Sequence, residues 1–131
     1  MTKERKFKPE YARELLSIAK GDVESAKGLF KVKMGRTENI FFLAEQAIEK
    51  SLKAALCWKG QAIPMIHDLG IIIAQFPKSI LVPRSEDMLD LSQFATIRRY
   101  EEGQAEFTDE EITGALDLAE ATLKWAAGLL K

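Results

Sequence analysis

At 131 residues the chain has the length of one ordinary domain, enough to bury about two-thirds of its unfolded surface in a single core. Apolar residues make up 47% and charged residues 30%, the balance of a folded globular protein rather than a disordered one. A formal net charge of −1 argues against a generally basic nucleic-acid binder and leaves room only for a local basic patch.

Cys57 is the single cysteine, so neither an intramolecular disulfide nor a cysteine-based zinc cluster can form. The N-terminal MTKERKFKPEY is basic and lacks the apolar stretch of a signal peptide. No apolar run approaches the ~18 residues of a membrane span. A cytoplasmic location is therefore expected.

Helical periodicity dominates from the start. Tyr11, Leu15, Ile18, Asp22, Ser25 and Leu29 share one stripe, with Ala12, Leu16, Ala19, Val23, Ala26 and Phe30 beside it, and Pro9 suits a first helical turn. Asp22 interrupts its stripe, which predicts a partly buried carboxylate in need of a basic partner. Lys33 to Arg36 reads as a loop, and Thr37 as the N-cap of a second helix running to about Lys59, ended by Gly60. That helix directs Ile40, Leu43, Ala44, Ala47, Ile48, Ser51, Leu52, Ala55 and Trp58 toward a core.

After Pro64, Asp68 can cap a short apolar helix ending near Phe76. The run Ile71 to Ile73 could be a buried strand, but no second strand candidate is available to pair with it. A loop with Pro77 and Pro83 leads to a fourth helix from about Ser85 to Thr96 or slightly beyond, carrying Met88, Leu89, Leu91 and Phe94. The segment EEGQAEF reads as a loop. Thr108 and Glu111 form the Thr-x-x-Glu pattern of a capping box before a last helix with Ile112, Leu116, Ala119, Leu123, Ala126 and Leu130 on one stripe. Its second stripe, Leu118, Thr122, Trp125 and Leu129, exceeds what one core contact requires and is available for self-association. Four long helices and one short one predict an all-α helical bundle, a single domain over residues 1–131.

Several chemistries fail on composition. His67 is the single histidine and no Glu precedes it by three, which removes the di-iron Glu-x-x-His pairs and the two-histidine zinc helices; no P-loop is present either. Cys57 beside Trp58 reads as a packed core thiol rather than a nucleophile. What remains is polar. On the second helix Glu45, Gln46, Glu49, Lys50 and Lys53 lie along one side, either as a solvated face or as a site lining in which Gln46 and Lys50 meet a phosphate or base. Asp68 suits an N-cap, and His67 a structural hydrogen-bonding role. Arg98, Arg99 and Tyr100 either complement a helix C-terminus or hold phosphate and stack on a base.

The pattern Phe42-x-x-Glu-Gln-Ala-x-Glu-Lys-x-Leu-Lys-Ala54, then His67-Asp-Leu69, then Arg99-Tyr100, resembles the HEPN domain, the nucleotide-binding helical domain of higher eukaryotes and prokaryotes, over nearly the whole chain. The resemblance implies an up-and-down four-helix bundle with one additional short helix, commonly a homodimer. It also implies a separate minimal nucleotidyltransferase as partner, in a two-component module of the toxin–antitoxin type. Many members of that family are metal-independent ribonucleases whose Arg is followed a few polar residues later by His; others lack the motif and bind nucleotides or act as partners. Here no histidine follows Arg98 or Arg99 and no arginine shortly precedes His67, so the acid/base next to the arginine is missing. The family's nucleotidylated tyrosine lies just past that histidine, and its role is not carried to Tyr100.

The leading expectation is thus a nucleotide-binding or partner protein without catalytic residues, metal or cofactor. Its expected site comprises Gln46, Lys50, Lys53, His67, Asp68, Arg98, Arg99 and Tyr100. The alternatives are a ribonuclease with rearranged active residues, in which His67 is the acid/base, and a ligand-free dimeric scaffold in which the polar row and the arginines make intersubunit salt bridges.

Overall fold

The computed structural model of the chain describes residues 3–100 and 106–131, with backbone alone at Arg99 and Tyr100. The elements run β1 (Glu4–Arg5), α1 (Tyr11–Val32), α2 (Thr37–Trp58), β2 (Ile63–Pro64), α3 (Leu69–Ala74), α4 (Ser85–Tyr100) and α5 (Asp109–Leu129). This is the all-α, up-and-down four-helix bundle with one additional short helix. The Ile71 to Ile73 run is helical within α3, which ends at Ala74, short of Phe76. Most of the EEGQAEF segment, residues 101–105, lies outside the described residues.

The core is built around α2. It packs against α1, α5, α3 and β2, so twelve of its 22 residues are buried. Close approach comes from small side chains: Ala12, Ala19 and Ala26 recur one heptad apart on α1, opposite an α2 rich in alanine, and all are fully buried. Both apolar stripes of α5 are used inside the molecule. Leu118 and Thr122 are buried, and Trp125 and Leu129, partly buried, pack against the core.

Three local details place the site. Gly60 ends α2 at φ +76, a left-handed conformation that glycine adopts without steric cost, and turns the chain back toward β2. There the chain forms an unanticipated two-residue antiparallel pair, Glu4 with Pro64 and Arg5 with Ile63, extended by Met65 N–H donating to the Lys3 carbonyl at 2.7 Å. Asp68 then caps α3, its Oδ1 accepting from Ile71 N–H at 3.1 Å. At the other end of the bundle Thr108 Oγ1 accepts from Glu111 N–H at 3.2 Å while Glu111 Oε1 accepts from Thr108 N–H at 2.8 Å, a complete capping box.

Thr37 is not the cap expected of it. Arg36 holds the N-cap position without a side-chain bond, and the Thr37 hydroxyl instead accepts from Phe107 N–H at 2.9 Å, tying the start of α2 to the entry of α5.

Candidate ligand-binding cleft

Glu49 is the centre of the polar region. It sits on α2 where α1, β2 and the His67 turn close around the helix, and only 5% of it is exposed. A buried carboxylate must be paired to be tolerated, and Glu49 is paired on both sides. Lys53 Nζ donates to its Oε2 at 3.0 Å, and His67 Nδ1 lies 2.9 and 3.0 Å from Oε1 and Oε2. An ionised carboxylate can only accept, so Nδ1 carries the hydrogen. The His67 side chain is otherwise 80% exposed, which leaves Nε2 as its outward nitrogen.

A second set lies one turn away. Lys50 Nζ donates to Gln46 Oε1 at 2.6 Å and lies 3.6 Å from Asp22 Oδ2, an oxygen buried without a hydrogen-bond partner. Asp22 thus has the basic neighbour its position on an apolar stripe demanded. The polar row of α2 is not a solvated face: Lys53 and Lys50, like Glu49, are largely withdrawn from water.

The residues expected to form one site divide among three places. Gln46, His67 and Asp68 line a cleft of about 270 Å³ together with Phe42, Glu45, Glu49 and Leu69, and with Ser92 and Thr96 from α4. Lys50 and Lys53 line a separate hollow of about 130 Å³ walled by Phe7, Tyr11, Leu15, Ile63 and Met65, and Glu49 borders both. Arg98 is elsewhere. Its guanidinium makes a forked pair with Glu111 at 3.3 and 2.7 Å, donates to the Glu106 carbonyl at 2.8 Å and lies over the rings of Phe94 and Phe107 at 4.8 and 5.4 Å. The side chains of Arg99 and Tyr100 lie outside the described residues.

The expected site left out five residues of the cleft: Glu45 and Glu49, which the sequence placed on the polar row without assigning them to the site, and Phe42, Ser92 and Thr96. For Glu49 a signal existed. Apolar and small residues occupy most of the circumference of α2, the mark of a central helix whose remaining polar residues cannot all reach water. Ser92 and Thr96 carried no such signal, because only the packing of α4 across α2 brings them to the cleft.

The family model described as HEPN domain matches residues 12–129, which takes in α1 through α5 and the cleft. The chain belongs to the HEPN domain family. Among solved structures, this HEPN chain is similar to TT1696 from Thermus thermophilus, with 25% identity, a TM-score of 0.73, and coverage of 92% of this chain and 98% of that one. No curated protein sequence matches it.

Other reactive groups of the HEPN chain are occupied structurally. Cys57 is buried, its Sγ donating to the Lys8 carbonyl at 3.2 Å. Burial pushes the thiol above its ordinary value of 9.0; a hydrogen bond from the Ala12 backbone opposes this in part, and the nearby Glu10 charge adds to the rise. Among the described residues no group of three His, Cys, Asp or Glu side chains is placed to hold a metal ion, and no helix is long and apolar enough to cross a membrane.

Proposed function

We propose that this HEPN chain is a nucleotide-binding protein that receives the base and sugar of its ligand in the cleft beside His67, with the phosphates outside. The observation that carries this is the lining itself. A half-exposed Phe42 ring offers a stacking face next to an amide, an oriented imidazole, hydroxyls and carboxylates, within a volume suited to a nucleoside. The lysines and Arg98 that would meet a phosphate face other groups.

Calorimetric titration with ribonucleosides and their triphosphates tests the reading. Heat is expected for wild type and its loss in Phe42→Ala and His67→Ala. Silence from every ligand would reject nucleotide binding.

Family membership supports a further part of the proposal: the chain works as a homodimer with a separate minimal nucleotidyltransferase, in a two-component module of the toxin–antitoxin type. Coexpression with a nucleotidyltransferase encoded beside it should yield a complex that survives size-exclusion chromatography. Separate elution of the two would remove that partner.

One observation favours a second reading. A buried carboxylate orienting an exposed imidazole is also the arrangement of a general base and its positioning group. It supports metal-independent RNA cleavage by His67, but charge development on phosphate would find no cation among the described residues of the cleft, since Lys50, Lys53 and Arg98 are spent on Gln46 and Asp22, Glu49, and Glu111. RNA left intact by wild type in the presence of a chelator would dismiss it.

A further inference from the structure

We infer that Gln46 is the donor by which the cleft recognises an acceptor atom of its nucleoside, and that Lys50 is a positioning residue acting through it. This rests on the nucleotide-binding reading above and names one determinant of its specificity.

A glutamine amide offers an oxygen on one arm and N–H groups on the other, and a free side chain turns either way. Here the orientation is decided. Lys50 follows Gln46 by one helical turn on α2, and its Nζ lies 2.6 Å from the amide oxygen. An ammonium has hydrogens and no lone pair, so the arm that faces it is the oxygen. The nitrogen is the other arm. It donates to no group among the described residues, and Gln46 lines the cleft.

Lys50 is itself held from α1. Its ammonium stands 3.6 Å from Asp22 Oδ2, a buried oxygen without a hydrogen-bond partner, and the two side chains are 24% and 21% exposed. Lys50 lines the neighbouring hollow rather than the cleft, so it meets a ligand there only through Gln46. A hydrogen bond from an ion is about twice as strong as one between neutral groups, which fixes the amide firmly. Electron density drawn toward the oxygen also makes the opposite N–H a better donor.

Isothermal titration of the full-length protein with the four ribonucleosides and their 5′-triphosphates is the test. Gln46→Glu keeps an oxygen for Lys50 but sets a second one where the nitrogen stood, and nucleosides that bind wild type should bind about tenfold more weakly. Lys50→Met should weaken a nucleoside and its triphosphate by the same factor, about three- to tenfold, and Lys50→Arg should recover part of the loss. In a Gln46→Leu background Lys50→Met should cost nothing further, because the residue it acts through is gone. Should Lys50→Met fail to fold with Asp22 stranded, Asp22→Asn with Lys50→Met takes its place, measured against Asp22→Asn alone. A larger loss for triphosphates, or binding by triphosphates alone, would shift recognition to phosphate. Additive losses would show that Lys50 does not act through Gln46, and undiminished binding in Gln46→Glu would remove the amide nitrogen from recognition. Each of these overturns the inference while nucleotide binding stands. If wild type binds none of the ligands, the nucleotide reading falls and the inference falls with it.

Discussion

His67 and Glu49 stand eighteen residues apart in the chain and meet at 2.9 Å, an exposed imidazole held by a buried carboxylate. Lys53 closes the same carboxylate from the other side at 3.0 Å. The order Lys53, Glu49, His67 therefore runs from the interior to the cleft, and Glu49 serves the fold and the site at once.

Removing Glu49 should be costly because it strands Lys53, whose side chain is 13% exposed. Breaking one partner of a buried pair destabilises by about 3–5 kcal/mol, so Glu49→Ala should lower the urea midpoint by a corresponding amount. The double variant Glu49→Leu with Lys53→Met should recover much of the loss, since neither charge is then left alone. Equal instability in the double variant would show that the pair contributes through shape rather than charge.

Arg98 is a clamp between α4 and the capping box of α5. Arg98→Ala should cost about 2 kcal/mol and loosen the Glu106 to Glu111 segment, visible as faster amide exchange at Thr108 and Glu111. Arg98→Lys should fail to restore it, because one ammonium cannot span both Glu111 oxygens and stack on two rings. Full stability in the lysine variant would remove the argument from the fork.

Asp68 has two separable roles. Asp68→Ala should destabilise by about 1 kcal/mol through loss of the α3 cap, whereas Asp68→Asn should be close to neutral in thermal unfolding. A comparable drop in both would mean that the carboxylate charge, not the cap, matters to the fold.

Cys57 makes a pH prediction with a defined sign. Its folded value is raised above 9.0, so as pH rises past 9.0 the unfolded thiol loses its proton first and stability falls. Below that value the contribution is fully present. In denaturant melts between pH 8 and 10, wild type should lose more stability than Cys57→Ala, the difference isolating this thiol from the lysines that titrate in the same range. At pH 8 a thiol-specific disulfide reagent should label the native protein at the rate of its unfolding. Immediate labelling would contradict the burial.

Much of the fold was legible. The helices announce themselves by period, and the caps at Asp68 and Thr108 follow from short polar side chains placed just before apolar runs, a relation local enough to be read from neighbouring letters. Thr37 shows where locality fails. Its hydroxyl had a closer claim on its own helix, but it bonds Phe107, seventy residues away.

The candidate site divides along the same line. By itself the sequence determined the helical bundle, the apolar environment of Cys57 and the grouping of Gln46, Glu49, Lys50 and Lys53 on one side of α2, because these depend on spacing and on what surrounds each residue along the chain. Only the tertiary structure decided that this side is enclosed, that Glu49 faces His67 while Lys50 and Lys53 turn into a different hollow, and that Arg98 is committed to Glu111. Those outcomes depend on which helices lie against α2 and α5. A hydrogen bond forms with whatever polar atom packing brings within about 3 Å, and sequence distance has no part in that.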